Sequence, residues 1–193
     1  VRGDVRARTD AEVIEASLRE PECFAELYDR HHEVIHRYIA RRLGRDLADD
    51  LMAETFLIAF DRRDRYDAAR EDARPWLYGI ATNLVGQHRR AEVRFWRLIQ
   101  RTGADPAVES PAGPVTDRVT AQASRRALAA ALAKLPRGQR DVLLLTAAGD
   151  LTPGEIASAL GIARGTVHSR LNRARKKTRD VLGGVDPLEG NDH

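Results

Sequence analysis

From Arg164 to Arg179 the sequence holds Arg164, Arg170, Arg173, Arg175, Lys176, Lys177 and Arg179, and no acid. On a helix whose Val167, Leu171 and Ala174 face a core, such cations suit a polyanion. Phosphate contacts give affinity, and side chains that reach base edges in a major groove give specificity. The helical repeat turns Arg164, His168, Ser169 and Asn172 outward and Arg173 to the flank, so these are the candidates for base and phosphate contact. Two plainer readings stand beside this one: a solvated basic helix in a generic bundle, and His168 as an ordinary exposed histidine.

Asp49, Asp50 and Glu54 form an acidic group, with Asp50 and Glu54 one helical turn apart. A metal site would need a histidine or third ligand at matching spacing, and none is present, so by spacing alone these residues read as a solvated helix face. No Ser-His-Asp set, phosphate loop or zinc-hydrolase pattern offers a catalytic assignment. The expectation is a chain that is not an enzyme and carries no cofactor or metal.

The elements that must carry these groups are helical. Asp10 is a candidate N-cap for a short helix with Val13, Ile14 and Leu18. From Pro21 to Leu43, Phe24, Leu27, Tyr28, Ile35, Tyr38, Ile39 and Leu43 recur at helical spacing; Pro21 suits the first turn and Gly44 a left-handed end. Asp46 is placed to cap a third helix, with Leu47, Leu51, Thr55 and Ile58 inward and Met52, Phe56 and Phe60 on an adjoining strip. Asp61 to Arg74 reads as a loop. Pro75 then opens a helix with Trp76, Leu77, Ile80, Ala81 and Leu84 on its apolar side, and Trp76 is read as core ahead of a stacking platform.

Between Thr102 and Thr116 lie Pro106, Pro111, Pro114, Gly103 and Gly113 with few large apolar residues, the composition of a linker that splits the chain in two. Beyond it, Leu128, Leu132 and Leu135 continue a helix that stops at Pro136, and the run Val142 to Leu145 is closed by Gly149. Thr152 and Glu155 have capping-box spacing, Pro153 takes the first helical position, and Leu151 with Ile156 matches a hydrophobic staple. That helix ends at Gly161 and a second begins within three residues, a helix-turn-helix. No strand pattern appears, so the fold class is all-α.

Composition agrees with a folded soluble chain: 193 residues, 42% hydrophobic and 32% charged. The net charge of +3 is small beside 32 Lys+Arg and 29 Asp+Glu, so placement of charge carries the information. Cys23 is the only cysteine, which excludes an internal disulfide and fits a reducing cytoplasm. No transmembrane span or signal peptide is legible. Val1 reads as an alternative start codon, and richness in Ala, Arg, Gly and Val fits a GC-rich bacterium. The tail after Leu182 is too short for an added domain.

The run Leu135-Pro136-Arg137-Gly138-Gln139-Arg140-Asp141-Val142, with Glu155-Ile156-Ala157, Leu160-Gly161, Gly165-Thr166-Val167-His168-Ser169-Arg170-Leu171 and Arg173-Ala174-Arg175, resembles region four of sigma factors. A LuxR-type regulator domain shares the Thr-Val and Leu-Gly elements. The N-terminal half separates the two. Phe24-Ala25-Glu26-Leu27-Tyr28, Arg41-Arg42-Leu43-Gly44, Ala48-Asp49-Asp50-Leu51-Met52-Ala53-Glu54-Thr55-Phe56 and Pro75-Trp76-Leu77-Tyr78-Gly79-Ile80-Ala81-Thr82-Asn83 are similar, in order and spacing, to region two of extracytoplasmic-function (ECF) sigma factors.

The resemblance implies a region-two bundle over 8–100, a flexible linker over 101–121 and a region-four helix-turn-helix domain over 122–183. It implies that the C-terminal domain binds the promoter element near −35 and docks on the β flap of core RNA polymerase. It implies that the helix from Asp49 to Phe60 docks on the β′ clamp helices, where the carboxylates of Asp49, Asp50 and Glu54 suit a basic groove. Ala53 departs from the glutamine common at that place. The loop Asp61 to Arg74 and the helix after it correspond to the part that opens and reads the element near −10, with Arg62, Arg63, Arg65, Tyr66, Arg74, Asn83, His88, Arg89 and Arg90 as the available groups. Cations there would hold phosphates while a pocket captures an unstacked base. An anti-sigma factor is a further expected partner, and membrane insertion is not expected.

The rival is a free-standing LuxR-type regulator whose N-terminal bundle senses or dimerises. The isolated chain should bind duplex DNA weakly and with steep salt dependence, becoming specific only with core polymerase. Titration of labelled promoter DNA across salt concentrations checks this, and tight, sequence-specific binding by a dimer of the free chain favours the regulator.

Overall fold

A computed structural model of the chain describes residues 8–102, 131–148 and 151–181, and every regular element among them is helical. They are α1 (Asp10–Ser17), α2 (Phe24–Leu43), α3 (Ala48–Asp61), α4 (Arg74–Thr102), α5 (Arg137–Ala148), α6 (Pro153–Leu160) and α7 (Arg164–Val181), with single 3₁₀ turns at Pro21–Cys23 and Arg63–Arg65. The chain divides into two compact units, one carried by the residues up to Arg90, the other by α5 and α7 with most of α6. The all-α architecture expected from the sequence is the one found. The proline-rich stretch after Thr102, Leu128, Gly149 and the tail after Leu182 lie outside the described residues.

In the N-terminal unit Val13 and Ile14 of α1, Leu27, Ile35 and Ile39 of α2, Leu51 and Phe56 of α3, and Leu77, Ala81 and Val85 of α4 are buried. Each large aliphatic side chain removed from water contributes roughly 1.5–3 kcal/mol. Aromatic edges extend this core: Phe24 meets Phe60 at 5.3 Å and Tyr28 meets Phe56 at 4.9 Å, both T-shaped. Gly44 ends α2 at φ 90°, ψ 170°, positive in φ as expected, and its N–H donates to Ala40 O at 2.9 Å.

Three local expectations are corrected. Thr9, not Asp10, caps α1: its hydroxyl accepts from the N–H of Glu12 at 3.2 Å while Glu12 accepts from the N–H of Thr9 at 2.7 Å. Asp46 makes no cap; α3 begins after a turn in which the N–H of Ala48 donates to Arg45 O, and Leu47 holds the N-cap position. Leu18 is 49% exposed because α1 has already ended at Ser17.

Freed from capping, Asp10 is 7% exposed and joins three segments. Its carboxylate accepts from His31 Nε2 at 2.7 Å, from Arg30 Nη1 at 2.8 Å, both on α2, and from the N–H of Ala73 at 3.0 Å, just before α4. The N–H of Asp10 donates to Glu71 O at 3.0 Å. Burial alone would raise its pKa, but the donors of His31, Ala73 and Arg30 outweigh it and hold the carboxyl at about 2.

In the C-terminal unit Leu135, Leu143 and Ala174 form a core on which Leu132 and Leu171 pack. Val142, Leu145, Ile156 and Val167 are buried around it. The expected capping box is present: the N–H of Thr152 donates to Glu155 Oε2 at 2.6 Å, and the N–H of Glu155 to Thr152 Oγ1 at 3.3 Å. Gly161 turns the chain at φ 62°, and the N–H of Ile162 closes the end of α6 on Ala157 O at 3.0 Å.

Because the folded pKa of Asp10 lies below the unfolded value of about 3.9, its contribution is full above that value and is lost as pH falls from about 4 towards about 2. Asp10→Ala should lower stability by about 2–4 kcal/mol at neutral pH, since it orphans His31 and the Ala73 N–H and leaves Arg30 only its Glu26 partner. Urea unfolding of parent and variant at pH 7 and at the acid end checks both points; the difference between them should shrink in acid.

Candidate nucleic-acid interface

The basic helix α7 turns one stripe inward, with Val167, Ala174 and Thr178 buried and Leu171 half-buried. Arg164, His168 and Asn172, spaced by four, are exposed along the flank of that stripe, and Arg173 is exposed beside Asn172. Ser169 is half-buried and its hydroxyl donates to Thr166 O at 3.1 Å, so it presents acceptor capacity more than a free donor. The five candidates thus lie on the part of α7 that the core does not use.

Three other basic residues of this unit meet partners within it. Arg140 donates from Nε to Leu132 O at 2.7 Å and from Nη2 to Ala133 O and Leu135 O, both at 2.9 Å. It therefore gathers carbonyls at the end of the helix that stops before Pro136. Arg170 is half-buried and lies against Gly138 at the start of α5. Arg137 stands 3.5 Å from the buried carboxylate of Asp141.

In the N-terminal unit, Asp72 accepts from the N–H of Arg74 at 2.9 Å and caps the first turn of α4. It also pairs with the Arg74 guanidinium, Nη2 to Oδ2 2.7 Å, so Arg74 has a carboxylate partner within the loop. Tyr66 is half-buried with its ring centroid 5.0 Å from that of Trp76, tilted by 55°, and its hydroxyl donates to Arg70 O at 2.7 Å. Burial, then the carboxylates of Asp10 and Asp72, push the Tyr66 phenol above its ordinary value, so it stays neutral. Trp76 is half-buried, between the core and platform alternatives.

Along α4, Trp76, Asn83 and Arg90 are spaced by seven, two helical turns, and so share one stripe on which Asn83 and Arg90 are exposed. Arg65 is exposed on the 3₁₀ turn. His88, five residues beyond Asn83, faces about 140° away from it. Arg89 donates to Arg42 O at the end of α2. Arg63 donates to Phe60 O at 2.6 Å and to Ser17 O at 3.3 Å, with its guanidinium 3.7 Å from the Phe60 ring centroid. The structure thus brings Arg65, Tyr66, Asn83 and Arg90 to the surface around the start and one stripe of α4, and uses Arg63 and Arg89 as links between elements.

The setting of α4 is fixed by a buried chain of hydrogen bonds: Arg42 Nη1 donates to Tyr38 Oη at 2.7 Å, and Tyr38 Oη lies 2.7 Å from Thr82 Oγ1. Asn83 is the next residue. On α3, Asp49, Asp50, Ala53 and Glu54 are exposed, and Asp49 Oδ1 lies 3.1 Å from His36 Nε2 on α2. Leu57 is 60% exposed. It stands three residues after Glu54 and seven after Asp50, so an apolar side chain sits on the acidic face; that spacing was the available signal.

Asp10, His31 and Asp72 are the described residues whose ligand atoms lie together, all within 4.8 Å. Asp10 already accepts from Arg30 and His31 and Asp72 from Arg74, so a cation there would have to displace two guanidinium partners. No helix among the described residues is long and apolar enough to cross a membrane.

Comparison with known proteins places both units. The family description "Sigma-70 region 2" matches residues 27–95, and "Sigma-70, region 4" matches residues 125–178. The chain is 33% identical over 173 residues to the ECF RNA polymerase sigma factor SigL of Mycobacterium tuberculosis, covering 89% of this chain and 96% of that protein. It is 32% identical to SigM of the same species, over 94% of this chain and 88% of that one. Among solved structures it is similar in fold to CnrH in complex with the cytosolic domain of CnrY, with a TM-score of 0.63 and 24% identity over 90% of this chain and 97% of that one. It is also similar in fold to the sigma factor RpoE bound to the anti-sigma factor NepR from Bartonella quintana, with a TM-score of 0.59 and 22% identity over 83% and 96%.

Arg140→Ala should destabilise the C-terminal unit by about 2–3 kcal/mol, because three carbonyls lose one charged donor group. Thermal unfolding followed by circular dichroism checks this. Arg140→Lys should recover only part of the loss, since an ammonium lacks the planar fork.

Proposed function

The chain belongs to the extracytoplasmic-function family of RNA polymerase sigma factors, and from that premise we propose how its surfaces divide the work of promoter recognition. It is a sigma factor and not a LuxR-type regulator: the region-two match over residues 27–95 has no place in the rival reading. The proposed division of the chain is 8–100 for region two, 101–121 for the linker and 122–183 for region four. The observation that carries the proposal is the exposed run of Arg164, His168 and Asn172 beside the buried stripe of the same helix.

In this reading Arg164, His168, Ser169 and Asn172 read the upstream promoter element, and Arg173 holds phosphate. Arg65, Tyr66, Asn83 and Arg90 meet the downstream element as it opens, with Arg74 and His88 beside them and Arg89 holding the end of α2. Asp49, Asp50 and Glu54, with Leu57, dock on the β′ clamp helices of core polymerase, and region four docks on the β flap. Bond-making in RNA belongs to the core enzyme, so the chain itself is not an enzyme and needs no cofactor. Its place of action is the cytoplasm. The sigma factor RpoE, of similar fold and seen with the anti-sigma factor NepR, supports an anti-sigma partner for this chain as well.

Transcription by holoenzyme from a promoter library, randomised separately at each element, tests the division. Substituting His168 or Asn172 should change preference at upstream bases, each good contact contributing roughly 1–3 kcal/mol of discrimination. Arg173→Ala should weaken all upstream sequences about equally. Asn83→Ala should impair use of the downstream element alone. Wild-type upstream preference in the His168 and Asn172 variants, or an altered one in Asn83→Ala, overturns the assignment of surfaces.

A further inference from the structure

Gly138 is a glycine in the first turn of α5 where backbone conformation does not call for one: among the described glycines only Gly44 and Gly161 have positive φ. A helical glycine is a poorer helix former than alanine, so its use here points to space rather than to dihedral freedom. A Cβ at Gly138 would stand 2.8 Å from Nη1, 2.9 Å from Cζ and 3.3 Å from Nε of Arg170. The guanidinium of Arg170 therefore occupies the volume that any other residue at 138 would fill.

Arg170 is not one of the outward cations of α7. It lies three residues after Val167 and four before Ala174, both buried, and is itself half-buried on that inward side. The same α5 and α7 meet through Leu143 and Ala174. Arg170 is thus a strut between the start of α5 and the recognition helix, two residues from both His168 and Asn172.

We infer that Gly138 and Arg170 are positioning residues for upstream promoter reading: the missing Cβ leaves a seat for the guanidinium, and that seat sets the pose of α7. The inference rests on the assignment of α7 to the upstream element. Because the atoms that a Cβ at 138 meets are the far end of a flexible side chain, Gly138→Ala displaces Arg170 without forcing the backbones apart. The fold then survives while the pose of the reading residues changes.

The test uses holoenzyme and the upstream-randomised library, with Gly138→Ala, Arg170→Met and the double variant, alongside thermal unfolding of each chain. Methionine keeps an apolar stem in place of the arginine's and removes the guanidinium. Gly138→Ala should lower upstream discrimination by about tenfold, the scale of one mis-set base contact, with a melting temperature no lower than the parent's. Arg170→Met should give a similar loss, the double variant no more than the larger single effect, and downstream preference should stay unchanged in all three. Wild-type discrimination in Gly138→Ala, a loss that accompanies a lowered melting temperature, or a double variant in which the losses add overturns the inference. His168→Ala and Asn172→Ala in the same library keep the two readings apart. If they shift upstream preference and Gly138→Ala does not, the positioning role alone falls; if they do not shift it, the assignment of α7 falls first.

Discussion

A carboxylate buried at the start of α1 constrains the N-terminal unit more than any single apolar contact. Ionised Asp10 cannot sit at 7% exposure without donors, and it takes them from α2 through His31 and Arg30 and from the approach to α4 through Ala73. Removing one partner of such a group leaves the others desolvated and unpaired, so the three segments hold position together or not at all. The loop between α3 and α4 inherits this fixity: Ala73 is tied to Asp10, Asp72 caps α4, and Tyr66 leans on Trp76. A segment that reads as an irregular charged loop is in this way given a defined end from which α4 departs.

The exposed stripe of Asn83 and Arg90 on α4 depends on that departure and on a second buried link, from Arg42 through Tyr38 to Thr82. Asn83 follows Thr82 directly, so its exposure is set by where Thr82 is held. Arg89, holding the carbonyl of Arg42, closes the same link from the other side. The C-terminal unit uses guanidinium groups in the same way. Arg140 gathers the carbonyls at the end of the preceding helix, and Arg170 fills the seat above Gly138, while Arg164 and Arg173 remain outward. Both units use some arginines as internal fasteners and leave others exposed.

The order and type of the helices, the capping box at Thr152 and Glu155, the turn at Gly161 and the exposed run of α7 are all legible in the residues alone. All of these follow from contacts within a few residues, where the helical repeat and cap chemistry act. The family to which the chain belongs is legible there too, through two separate sets of motifs. Which polar side chains act as fasteners is set by contacts between elements far apart in the chain. Asp10 looked like a helix cap because its true partners, His31 and Ala73, lie 21 and 63 residues away. Arg63 and Arg89 read as candidates for DNA contact for the same reason: the carbonyls of Ser17 and Arg42 that they meet lie 46 and 47 residues away. Periodicity states which way a side chain leaves its own helix; which carbonyl, ring or carboxylate it meets there is set by elements distant in sequence, and only folding brings those within hydrogen-bond reach.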